Sequence, residues 1–91
     1  MSDEPKLREL RAKIDALDEK LQDLINRRAR LALDIAKVKQ GSGQDNFYRP
    51  EREAEVLNKA LARNAGPLSS ESIARLFREI MSACLALESR L

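Results

Sequence analysis

From Leu7 to Val38 apolar residues return at alternating steps of three and four. The run passes through Leu10, Ile14, Leu17, Leu21 and Leu24, then Leu31 and Ile35, with Arg28 in the remaining position, so nine of ten seam positions are apolar. Such spacing is a heptad seam, the stripe of a helix made to lie against another helix. It predicts one long helix over about residues 6–40.

Punctuation then divides the chain. Gly41, Ser42 and Gly43 break the first pattern, and Gly66 and Pro67 break the second. Pro50 suits the first turn of a new helix, where its missing N–H is no loss. Helix 2 is expected over about 50–64 and helix 3 over about 70–90, with loops at 41–49 and 65–69. Ser69 or Ser70 can cap helix 3. Its apolar face is expected to hold Ile73, Leu76, Phe77, Ile80, Cys84 and Leu87. No strand signal interrupts this. The expectation is an all-α chain, a single domain over residues 1–91.

The length of helix 1 changes the picture. A helix of about 34 residues is roughly 50 Å long. A compact monomer of this size has a radius of gyration of about 13 Å. Two short helices barely cover such a rod, whereas a second copy of helix 1 does. An intertwined homodimer with two-fold symmetry follows as the expectation.

Composition mostly excludes. Charged residues make up 35% of the chain, but the net charge is only +2, and acids interleave with bases along helix 1. No basic stripe forms, and three aromatic residues make a poor base-stacking platform, so no nucleic-acid partner is expected. The absence of histidine removes the commonest general base and metal ligand. The lone Cys84 rules out an internal disulfide and fits a reducing compartment. No apolar run is long enough for a membrane span or signal peptide. The chain is expected to be cytoplasmic, with no membrane, metal or cofactor.

Arg28 is the anomaly. A charge in a packed seam must be matched by a carboxylate on a neighbouring helix, by a role in fixing register, or by a bound anion. Lys39 lies eleven residues further on the same face, about 16 Å along the axis. Together they could hold a small dicarboxylate, although a lysine near a helix end also suits the dipole while fully solvated. Arg11 takes the same heptad position as Lys39. Along one helix the two are about 42 Å apart. In an antiparallel pair, Arg11 of one chain could approach Arg28 and Lys39 of the other. In "YRPERE", Glu53 suits the first turn of helix 2, whereas Arg52 is less expected there and invites a ligand role. Glu88 borders the face of Cys84.

These residues together resemble the all-helical chorismate mutases, most closely the N-terminal mutase domain of bacterial bifunctional chorismate mutase–prephenate dehydratases. The stretches that carry the resemblance are "LRELRAKIDALDEKLQDLINRRARLALDIAKVK", "YRPEREAEVL" and "IARLFREIMSACLALE", essentially the whole chain. The family implies an intertwined dimer of three-helix chains and the Claisen rearrangement of chorismate to prephenate, in phenylalanine and tyrosine biosynthesis. No proton transfer or covalent intermediate is needed, which suits a chain without histidine. The resemblance implies that Arg28, with Arg11 from the partner chain, clamps the substrate carboxylates. It places Lys39 on the ether oxygen, Glu88 on the other side of that oxygen, Glu53 on the ring hydroxyl and Arg52 in the site shell. The end at Leu91 is expected to mark an excised domain, and the resemblance, not the sequence itself, is what suggests fusion to a prephenate dehydratase domain.

Two positions depart from the family pattern. Arg49 stands where many members have Asp, and Cys84 where some have Ser; each is a candidate contact with an altered role. Cys84 is a weaker donor than Ser and reads more readily as core than as a substrate contact. Glu88 must be protonated to donate to an ether oxygen; apolar surroundings would raise its pKa and Lys39 would lower it. Two other functions compete: an isochorismate-pyruvate lyase on the same fold, and a non-catalytic helical dimerisation or regulatory module.

Overall fold

A computed structural model describes residues 3–43 and 48–91. Every regular element among them is helical: α1 over Asp3–Gly41, α2 over Pro50–Arg63 and α3 over Ser70–Glu88. Of the expected loop at 41–49, residues 44–47 lie outside the described part. α1 starts earlier than the expected residue 6, with Pro5 inside its opening turns, where a missing N–H does no harm. Asp3 and Glu4 stand at its positive end and Lys39 at its negative end.

The turn between α2 and α3 is built by side chains. The Asn64 amide donates to the carbonyl of Leu68 at 2.8 Å, and its oxygen accepts from the N–H of Gly66 at 3.2 Å. Gly66 has φ of +78°, which a residue with a Cβ rarely adopts. Ser69 is the N-cap of α3, its hydroxyl accepting from the N–H of Ser72 at 3.1 Å. α3 ends at Glu88, two residues before the expected end, and the Ser89 hydroxyl donates back to the carbonyl of Leu85.

α3 is the bridge of the chain: it packs against both α1 and α2, which do not contact each other among the described residues. The interior it closes is small. Ala36, Ala60, Ala74 and Cys84 are buried, and no large side chain is fully enclosed among the described residues. Leu76, expected on the buried face of α3, is 51% exposed. Ile73, Phe77, Ile80 and Leu87 are half-buried.

The seam of α1 has no partner within the chain. All nine of its apolar residues are exposed, from Leu7 at 44% to Val38 at 70%. Every described residue before Arg28 on α1 is exposed. Ion pairs one turn apart, Lys13–Glu9 at 3.6 Å and Arg27–Asp23 at 2.9 Å, lend this stretch a few tenths of a kcal/mol each. The chain measures 63 × 25 × 16 Å with a radius of gyration of 17.4 Å, well above the compact value of about 13 Å. No helix is long and apolar enough to cross a membrane among the described residues.

Candidate functional site

Where α2 leans away from α1 over the surface of α3, a cleft of about 490 Å³ opens. Each helix contributes one stripe to its wall. From α1 come Arg28, Leu31, Ala32, Ile35 and Lys39. The start of α2 and the two residues before it give Tyr48, Arg49, Arg52, Glu53 and Val56. α3 gives Arg78, Met81, Ser82, Cys84, Leu85 and Glu88. Thus Arg28, Lys39, Arg49, Arg52, Glu53, Cys84 and Glu88, drawn from positions 28 to 88, share one cavity.

Arg28 sits half-buried at the inner end of its stripe. Its Nη1 donates to the Sγ of Cys84 at 3.4 Å, across the contact between α1 and α3. No carboxylate lies within ion-pair distance of it among the described residues. A guanidinium offers five N–H donors, and a thiol is a weak acceptor. Of the three ways to match a seam charge, the protein carboxylate is therefore not used among the described residues of this chain. The remaining donors stay available to an anion in the cleft.

Cys84 is 5% exposed, among the most enclosed side chains of the chain. It serves as core and as the sulfur on which Arg28 rests. Lys39, half-buried, is in the last turn of α1 and has no ion-pair partner among the described residues. Glu53 is half-buried on the opposite wall. Arg49 and Arg52 are exposed on the rim. Arg49 approaches Glu51 at 4.0 Å, and Arg52 pairs with Glu55, which also takes Lys59 at 3.7 Å.

Glu88 closes the stripe at the end of α3. Its pKa is raised above the ordinary carboxylate value: burial disfavours the charged form, and the opposing pull of Lys39 and Arg28 is the weaker influence. Burial thus outweighs the two cations, and the Glu88 carboxyl holds its proton to higher pH than an ordinary glutamate does.

Arg11 is not in the cleft. It is exposed on the unpartnered half of α1, 17 residues before Arg28, or about 26 Å along the axis. Arg78 and Ser82 join the cleft without having been expected there. A signal for Arg78 does exist in the sequence: counting back from Glu88 by three, four and three reaches Leu85, Met81 and Arg78, one helical face.

Residues 10–89 match the family model of chorismate mutase type II. The whole chain aligns with the bifunctional chorismate mutase/prephenate dehydratase of Pseudomonas aeruginosa at 57% identity, covering 26% of that protein. The chain therefore spans about a quarter of the length of that relative. Among solved structures, form II of the chorismate mutase from Thermus thermophilus superimposes with a TM-score of 0.90 at 35% identity, covering 93% of this chain and 96% of that one. The chorismate mutase of Helicobacter pylori, crystallised in complex with prephenate, gives 0.87 at 33% identity, over 96% and 93% of the two chains.

Proposed function

Because the chain belongs to the chorismate mutase type II family, we propose that it rearranges chorismate to prephenate, as a two-fold dimer whose sites each draw on both chains. The observation that carries the proposal is the cleft, which gathers Arg28, Lys39, Glu53 and a protonation-prone Glu88 against an apolar floor. The Helicobacter pylori relative binds prephenate, the product of this rearrangement.

The rearrangement is unimolecular. One C–O bond breaks as one C–C bond forms, and no proton changes place. What the protein can add is conformation and charge. Arg28 takes one substrate carboxylate with donors that Cys84 leaves free. A second copy supplies the other clamp. If Leu7 of one α1 lies level with Val38 of an antiparallel second α1, the exposed seams overlap along their full length. Arg11 of the second copy then falls level with residue 34, between Arg28 and Lys39. Held at both carboxylates, the enolpyruvyl arm stays folded over the ring, which removes unproductive conformers. Arg52 can exchange Glu55 for substrate at little cost, since exposed ion pairs are worth about 0–1 kcal/mol.

Charge stabilisation falls to Lys39 and Glu88. As the C–O bond breaks, negative charge grows on the ether oxygen. Donors already fixed around that oxygen stabilise the transition state more than the ground state. Lys39 donates as an ammonium. Glu88 donates only when protonated, and its raised pKa supports that state. Glu53 accepts from the ring hydroxyl.

The pH dependence has a definite sign. kcat/KM is expected to fall as pH rises through the raised pKa of Glu88, and Glu88→Gln should flatten that fall. A Gln variant with the wild-type pH profile would take Glu88 out of the mechanism. Folding stability runs the same way. With the folded pKa raised, the contribution of Glu88 is complete below its ordinary value and declines as pH climbs through the raised one.

The reading extends to the setting. Residues 1–91 act as one mutase domain. In the natural protein a prephenate dehydratase segment accompanies it, as the name of the Pseudomonas aeruginosa relative states for that protein. The free Cys84 suits a reducing cytoplasm.

The test is loss of the ultraviolet absorbance of chorismate with the purified chain, followed by identification of the product. Prephenate at an enzymatic rate supports the proposal. Inert chorismate with release of pyruvate from isochorismate would identify a lyase instead. Inertness toward both would leave a helical association module.

A further inference from the structure

Arg78 lines the cleft but has no part in the chemistry above, and we propose that it steers the dicarboxylate substrate into the cleft without touching the reacting bond. The proposal rests on the mutase reading and adds a residue governing substrate capture.

Arg78 is placed for such a role. It and Glu88 stand at opposite ends of the α3 stripe, ten residues or about 15 Å apart. The side chain is exposed and lies well away from Glu88, the group placed beside the ether oxygen. Its charge is also unusual. The other two rim arginines have carboxylates beside them, Glu51 near Arg49 and Glu55 on Arg52. Arg78 has no ion-pair partner among the described residues. Nor does its helix offer one: the positions three and four residues away are Ala74, Arg75, Met81 and Ser82. Its charge is therefore the least compensated on the rim.

The surroundings amplify it. Five cationic side chains line the cleft against two carboxylates, Glu53 and Glu88, while the whole chain carries a net charge of only +2. A concave wall of one sign focuses its field outward and raises the local concentration of an oppositely charged ligand. A single charge about 10 Å from a dianion changes its capture about threefold at ~10 mM salt, and hardly at all at ~0.5 M, where the screening length is shorter than the separation.

The experiment compares the purified full chain with Arg78→Gln and Arg78→Lys, using chorismate and added sodium chloride from ~10 mM to ~0.5 M. Arg78→Gln is expected to lower kcat/KM about threefold at low salt through KM, to leave kcat alone, and to converge on wild type at high salt. Arg78→Lys should follow the wild-type curve throughout. The proposal is overturned by a salt dependence in Arg78→Gln that matches wild type. A loss of kcat at every salt concentration, or a loss of dimer on sedimentation, would overturn it too, because either shows a structural role. Failure of wild type to turn over chorismate would remove the mutase reading and the steering with it. Wild-type turnover with an unaltered Arg78→Gln removes the steering alone.

Discussion

Replacing Arg28 with Leu is expected to cut kcat/KM by about a thousandfold or more while leaving the melting temperature unchanged or higher. The two effects have separate causes. Arg28 is the proposed anion-binding group at the inner end of the cleft, and a guanidinium that meets charge in a partly enclosed site is worth about 4 kcal/mol to a transition state. To the fold it contributes little, since it rests on a 3.4 Å bond to a thiol. Leu completes the apolar seam, and exchanging a poorly compensated charge for an apolar side chain is commonly neutral or stabilising. Thermal unfolding and chorismate kinetics on the same preparation check both halves. Retained activity would dismiss Arg28 from the site. A fall of many degrees would make it a structural residue.

Mixing two dead variants should restore turnover. Arg11→Ala and Arg28→Ala are each expected to be inactive as homodimers, because every site then lacks one clamp. In a heterodimer of the two, one site receives both intact arginines and the other receives neither. Equal mixing after unfolding and refolding gives about half heterodimers, so about a quarter of wild-type activity should return. An arrangement in which Arg11 served its own chain would return nothing. The exposed seam of α1 makes this cycle worth running: Leu7 through Val38 find no cover in their own chain, and Arg11 projects from that same uncovered half.

The helices are legible in the sequence because their punctuation is local. Gly43, Pro50, Gly66 with Pro67, and Ser69 act through backbone φ, a missing N–H and a capping hydroxyl, none of which needs tertiary knowledge. α1 starts before the expected residue 6 because Pro5, within its opening turns, lacks only an N–H that needs no partner there. Leu76 looks like a core residue because apolar spacing tells which residues share a face, and not whether anything in the same chain covers it. The stripe of Arg28 and Lys39 is visible for the same reason that the seam is, since both follow helical period. Arg78 and Ser82 escape notice because exposed polar residues on an amphipathic helix look merely solvated until the cleft they line is seen. The balance on Glu88 needs burial, which no spacing reveals.

The scant interior of the chain bears on how it comes to be folded at all. Three alanines and a cysteine are the buried residues among those described, while each half-exposed leucine of the seam would gain about 1 kcal/mol on full burial. In the proposed dimer most of the stabilising contact is then made between chains and little within one. For such a dimer folding would be a reaction of second order, with the encounter of two chains as the event that creates the native state. The denaturation midpoint should rise with protein concentration. Dilution would remove structure and catalysis in step, because the same meeting of two α1 helices completes both.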